Sequence, residues 1–369
     1  MSARRRFSGP TGGDQDVMTE QIRLSDACEQ FLTWRKTNLA DETWRSYRSA
    51  LGLFLQVTGD VMVSGLRPDH IERFLAERRR PHVDRRGRSM PPIGPAGYNQ
   101  YLGALGVFSK WLLRHAMVSV DLTAGIERIR ARRPIKRRLD PEQIIALLDA
   151  APARDRMLFS LAFFAALRAT EATSLRIGDV DLASNTLRVQ VWKTHQEDDF
   201  PIGPELRAQL DAWLPFYEAS VRRSWSRDLE PADFLVPALT PHRYSWQVVD
   251  GVKSRDAWIQ TFEPGRPVRM PYQLVKRALK RIGLSAEGEG MHILRRSAAR
   301  IMFDKLIEES KYENALRIVM AALHHTTSST TEQYIGLTTE QRSRDQFLRT
   351  TPLLADALTP GVINAVLSS

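Results

Sequence analysis

Seven of the eleven residues from Arg128 to Arg138 are basic, and Pro134 stands among them. No hydrophobic core can take in such a run, and a proline there keeps it out of a helix interior. The run therefore acts as a divider. The chain has 369 residues, enough for two domains of roughly 100–200 residues each. Charge follows the same division. Residues 1–138 hold 25 basic and 14 acidic residues, a net of +11, whereas residues 139–369 hold 28 and 29, a net of −1. A front part with that excess suits a polyanion, most simply nucleic acid. A linker that tracks a phosphate backbone is a natural use for Arg132, Arg133, Arg137 and Arg138.

Periodicity fills in the two halves. Residues 1–19 are rich in Arg, Gly, Ser and Asp without a pattern, and are expected to be disordered. Residues 20–127 read as a small bundle. Asp26 to Thr33 forms one short helix, and Asp41 caps a second carrying Trp44, Tyr47, Leu51 and Phe54. Pro68 opens a third, and Tyr98, Leu102, Leu105, Phe108 and Leu112 mark a fourth. No strand signal intervenes. Residues 128–138 are the linker, and Asp140-Pro141-Glu142 starts a second domain over 139–345. Its helices are predicted at 141–150, 155–166 and 169–176. Thr186 to Trp192 alternates as a strand, and Phe200-Pro201-Ile202 after a polar turn completes a small antiparallel sheet. Helices resume near 272. The aromatic-rich stretch 213–265 fits no single pattern. Residues 346–369 form an apolar tail.

Several classes are excluded. Hydrophobic residues make up 43% and charged residues 26%, which is neither fibrous nor wholly disordered. No uncharged apolar run approaches the ~18 residues of a membrane span. The opening MSARRRFSGPTGGDQD has no apolar core behind its arginines, so it is no secretory signal. The single cysteine, Cys28, makes no internal disulfide and no four-cysteine zinc site, which points to a reducing cytoplasm.

Four local patterns carry chemistry. Arg168 and Glu171 stand three residues apart, as an ordinary helical ion pair would. Lys193 ends the predicted strand. His292 and Arg295, at i and i+3, share a helix face. Then come His324-His325, a Ser/Thr run, and Tyr334 nine residues after His325. The first three alone have plain readings as solvated or structural residues, whereas the fourth is hard to explain as packing alone. A metal site on His324 and His325 is disfavoured, because adjacent side chains do not converge readily on one ion.

Taken in order, these residues resemble the tyrosine recombinases of the phage-integrase type, over most of residues 24–345. His292 and Arg295 match the family's His-x-Leu-Arg. His325 and Tyr334 match its third motif and nucleophile at the family spacing. Arg168 and Glu171 match the first arginine motif, and Lys193 the β-hairpin lysine. The chain departs in three places: His324 and Ala166 replace usual glycines, and Glu197-Asp198-Asp199 follows Lys193 where basic residues are usual.

The resemblance implies a mainly α protein with a small antiparallel β-sheet. Its helical core-binding domain and mixed α/β catalytic domain would form a C-shaped clamp on double-stranded DNA. It implies self-association into a dimer or tetramer on that DNA, and site-specific strand exchange through a 3′-phosphotyrosine. With only residues 1–23 before the first predicted helix, the extra N-terminal arm-binding domain of some integrases is expected to be absent. The chemistry needs no cofactor and no metal. Arg168 and Arg295 clamp the non-bridging oxygens, with His325 adding a hydrogen bond. His292 is the base for Tyr334, Glu171 orients, and Lys193 protonates the leaving oxygen. Competing readings are a type IB topoisomerase-like enzyme and a DNA-binding protein that has lost catalysis. The second predicts a missing catalytic residue, and all six positions are filled.

Overall fold

The computed structural model describes residues 22–37, 41–83, 87–130, 136–191, 196–240, 243–249, 252–259 and 261–336, with residues 196, 243–249 and 252–259 as backbone. The chain separates into two compact units, Met1–Pro134 and Ile135–Ser369. The division falls inside the basic run.

In the first unit, helices α1 (Leu24–Lys36), α2 (Asp41–Thr58), α3 (Pro68–Arg78) and α4 (Pro95–Arg114) enclose one core. Each helix contributes the face its spacing predicts. Phe31, Phe54, Phe74 and Phe108 are fully buried, each worth about 1.5–3 kcal/mol relative to exposure. Phe31 meets Phe108 edge-on at 5.3 Å, and Phe54 meets Phe74 at 5.6 Å. α1 extends beyond Asp26–Thr33 at both ends. The proline-rich loop holds a two-residue antiparallel pair, β1 (His82–Val83) with β2 (Ser89–Met90). It escaped prediction because two residues cannot show an alternation. Cys28 lies in this core, where burial pushes its thiol up to about 12, so it stays protonated and unreactive.

The second unit opens with α5 (Pro141–Asp149), α6 (Ala153–Phe164) and the short α7 (Ala169–Ser174). Asp140 caps α5 by accepting from the Gln143 amide at 2.8 Å. A three-stranded antiparallel sheet follows, ordered β3 (Val180–Asp181), β4 (Thr186–Val191), β5 (Gln196–Pro201). Leu187, Val189 and Val191 of β4 point into the core and alternate with outward residues. β5 already includes Glu197, Asp198 and Asp199, which the sequence reading had placed in a turn. Glu197 and Asp199 pair with the outward Gln190 and Arg188 and are exposed, whereas Asp198 pairs with the buried Val189 and lies on the inner face, only partly exposed.

Part of the stretch 213–265 is ordinary core. α8 (Pro204–Trp225) carries Leu206, Leu210, Trp213, Tyr217 and Val221 on its buried face, and tolerates Pro215 on its exposed side. Trp213 stacks on Tyr217 at 5.0 Å and meets Phe262 edge-on at 5.5 Å. The Trp213 indole donates to the Leu235 carbonyl at 2.9 Å. β6 (Pro237–Leu239) pairs with β9 (Phe262–Pro267), and β7 (Arg243–Val249) with β8 (Val252–Ile259). Among the described residues four helices follow: α9 (Pro271–Arg281), α10 (His292–Glu309), α11 (Tyr312–Ala322) and α12 (Ser328–Ile335). Ala166, Phe303, Val319, Leu323 and Ile335 form a core that seats α12 against α10 and α11.

Candidate active site

The site is assembled around a buried carboxylate. Glu171 is 1% exposed and stands in the first turn of α7, where Arg168 immediately precedes the helix. Glu171 Oε2 accepts from the Arg168 amide at 2.7 Å, and Oε1 from the Arg168 guanidinium at 2.7 Å. A lone buried carboxylate is costly, and these bonds are what allow it there. On α10, Arg295 follows His292 by one turn, and its guanidinium lies 3.6 Å from Glu171 Oε2. One anion thus serves two cations.

Backbone carbonyls do the remaining positioning. Arg295, itself 1% exposed, donates to the Ala166 and Leu323 carbonyls. Arg168 donates to the same Leu323 carbonyl at 3.2 Å. The backbone at Ala166 and at His324 is left-handed, with φ of 48° and 46°. These are the two places where the resemblance expects glycine, and the conformation gives the reason, since only glycine adopts it freely. Each tight turn presents an acceptor to the arginines.

α12 brings Tyr334 to this cluster. Its hydroxyl lies 3.4 Å from His292 Nδ1, a long hydrogen bond. The His325 ring meets the Tyr334 ring edge-on at 5.3 Å, and His325 Nδ1 lies 3.0 Å from the buried Thr331 hydroxyl. Burial lowers the pKa of His292, and Arg295, Arg296 and Arg168 lower it further. Burial raises the pKa of Tyr334, opposed by the same three arginines. At neutral pH the pair is an imidazole facing a phenol, which is the protonation state a base and a nucleophile require. Burial, and Arg168 beside it, bring Arg295 down to about 10, still a cation at pH 7.

Arg168, Glu171, His292, Arg295, His325 and Tyr334 therefore converge. Lys193, Arg132, Arg133 and the tail 346–369 lie outside the described residues. Arg137 and Arg138 are held by the second unit. Arg137 donates to the Ser285 carbonyl at 3.2 Å, and its own carbonyl accepts from Arg296 at 3.1 Å. The half-buried Arg138 guanidinium packs against Gly336, the left-handed residue that ends α12. A Cβ at position 336 would overlap it. The left-handed backbone alone costs an alanine about 1–2 kcal/mol. Gly336→Ala is thus expected to strain the end of α12 and slow Tyr334 chemistry about tenfold, the equivalent of ~1.4 kcal/mol, while the flexible end of Arg138 moves aside. The same loss in the Arg138→Ala background, read by the same rate assay, would show that the backbone conformation is the cause. Among the described residues no three His, Cys, Asp or Glu side chains gather into a metal-binding group. His324 and His325 turn to different partners, Asp198 and Thr331. No helix among the described residues is long and apolar enough to cross a membrane.

Sequence reasoning missed Thr331, the carbonyls of Ala166 and Leu323, and the Arg138–Gly336 contact. Only the displaced glycines at 166 and 324 offered a signal.

A tyrosine beside an imidazole, with two guanidiniums locked on one carboxylate, defines a class of enzyme that breaks and rejoins phosphodiesters. The pattern of the phage integrase family matches residues 137–341, more than half of the chain, and the chain belongs to that family. A tyrosine recombinase XerD of Pseudomonas putida is 28% identical over 218 residues, covering 57% of this chain and 68% of that protein. A tyrosine recombinase XerD of Yersinia pestis is 24% identical over 330 residues, covering 85% and 93%. The fold is shared with a lambda integrase dimer bound to a COC′ core site, at a TM-score of 0.60 and 14% identity over 87% of this chain and 79% of that one.

Proposed function

We propose that this protein is a site-specific recombinase that cuts and reseals duplex DNA through Tyr334. The observation that carries the reading is the convergence of Tyr334 and His292 Nδ1, 3.4 Å apart, with the Arg168–Glu171–Arg295 cluster. The Tyr334 oxygen attacks the scissile phosphorus. Its proton passes to His292, the Tyr–phosphorus bond forms, and the bond to the 5′ oxygen breaks. Arg168 and Arg295 hold the non-bridging oxygens as charge builds there, and His325 adds a donor. Lys193 gives the departing 5′ oxygen its proton. The 3′-phosphotyrosyl bond keeps the energy of the phosphodiester, so attack by a 5′ hydroxyl reseals the strand without ATP.

The partners in this reading are double-stranded DNA and further copies of the chain, paired as dimers or tetramers on it. The first unit, with most of the basic excess, supplies sequence-independent attraction. A cytoplasmic setting suits the single reduced thiol.

The test is a nicked suicide duplex, whose short product diffuses away and traps the adduct. The native chain is expected to give a covalent, denaturation-resistant species, equally in EDTA. Tyr334→Phe is expected to bind the duplex but give none. An adduct from the Phe variant, or one that needs added magnesium, would refute the mechanism.

A further inference from the structure

Two of the departures from the family pattern lie 126 residues apart in sequence and meet in space. His324 Nε2 lies 2.7 Å from Asp198 Oδ2. A carboxylate has only acceptors to offer, so Nε2 carries the hydrogen and donates it. The imidazole is largely covered, at 15% exposure, whereas the carboxylate is 46% exposed.

The arrangement is costly to keep. His324 has φ of 46°, a conformation that disfavours any side chain. Its Nδ1 is buried without a hydrogen-bond partner among the described residues. A glycine here would avoid both costs, so the contact with Asp198 is the gain that sets them off.

The position of each partner says what the contact links. Asp198 stands on β5, opposite Val189 of β4 and just past the 192–195 connection that contains Lys193. His324 follows Leu323, whose carbonyl both Arg168 and Arg295 hold. The β4–β5 hairpin is thereby fastened to the wall that carries the two arginines. We propose that the Asp198–His324 pair is a positioning clasp, which fastens the β4–β5 hairpin to the turn at Leu323 and through it supports the leaving-group step assigned above to Lys193. Neither residue touches the reacting atoms. The inference rests on the reading of Lys193 as leaving-group acid given above.

Asp198→Ala and His324→Gly each break the clasp. The glycine variant also relieves the left-handed backbone, so it does not lose activity through strain. Single-turnover cleavage is measured on two suicide duplexes, one ordinary and one with sulfur in place of the 5′ bridging oxygen. A thiolate leaves without being protonated, because a thiol is far more acidic than an alcohol, with a pKa of ~8.5. A general acid contributes about 10²–10⁴-fold, and a misplaced one forfeits part of that. Each variant is expected to cleave the ordinary duplex about tenfold more slowly or worse, and the sulfur duplex at the native rate. The double variant should be no slower than the worse single. Equal losses on both duplexes would place the effect on the arginine wall and overturn the clasp, as would unchanged rates on the ordinary one. Lys193→Ala, run in parallel, separates the two ideas. Rescue of Lys193→Ala by sulfur without rescue of the clasp variants refutes the clasp alone. No rescue of Lys193→Ala removes the acid and the clasp with it.

Discussion

Replacing Arg295 with alanine is expected to slow strand cleavage by about 10²–10³-fold, the cost of losing one well-placed donor to a developing oxyanion. The loss here has two sources. In the proposed mechanism Arg295 is a fixed cation for the reacting phosphate, and in the structure it ties the Ala166 and Leu323 turns together. Arg295→Lys separates them. Lysine keeps the charge but is a point donor that cannot span two carbonyls, so recovery should be slight. A second readout follows from electrostatics. Arg295 is among the charges that depress the His292 pKa. Its removal should raise that pKa, moving the acid limb of the residual cleavage profile to higher pH. Rapid-quench rates across pH measure both effects. A native rate for Arg295→Ala, or an acid limb displaced to lower pH, would contradict this account of the site.

Glu171→Ala should have the largest effect on stability. The carboxylate is buried, and both guanidiniums depend on it. Removing one partner of a buried ion pair typically costs about 3–5 kcal/mol, because the remaining charge is left uncompensated. Two cations would be stranded here. At roughly 2–4 °C per kcal/mol for a unit of this size, the thermal midpoint should fall by about 10 °C or more. Glu171→Gln keeps one acceptor for Arg168 and should fall less. Thermal denaturation followed by circular dichroism decides it. A midpoint for Glu171→Ala within a degree or two of native would mean that the arginines are held by carbonyls alone.

The parts of the molecule legible in advance were those with a period or a fixed spacing. The helices of the first unit announced themselves through residues such as Leu102, Leu105, Phe108 and Leu112, because one face had to be apolar. Arg168, Glu171, His292, Arg295, His325 and Tyr334 were legible through their order and spacing, which reflect placement on helices and the turns that precede them. Helix α8 was hidden by Pro215 and by its aromatic neighbours, although Leu206, Leu210, Trp213, Tyr217 and Val221 keep helical steps. Trp213 and Tyr217 proved to be packing, with their polar atoms satisfied by the Leu235 and Phe234 carbonyls. The acceptors that fix the arginines are backbone atoms, and a carbonyl has no side-chain signature. The contacts of Asp198 with His324 and of Arg138 with Gly336 depend on tertiary folding, and no local window contains both partners.

In the proposed reaction one particular oxygen, that of Tyr334, becomes joined to DNA. Trapping the adduct on a suicide duplex, digesting the DNA to a short remnant and sequencing the modified peptide by mass spectrometry reads that bond directly. The expected result is the nucleotide mass on Tyr334 within the peptide that follows Arg317. A remnant on Tyr312, Tyr272 or any residue other than Tyr334 would contradict it.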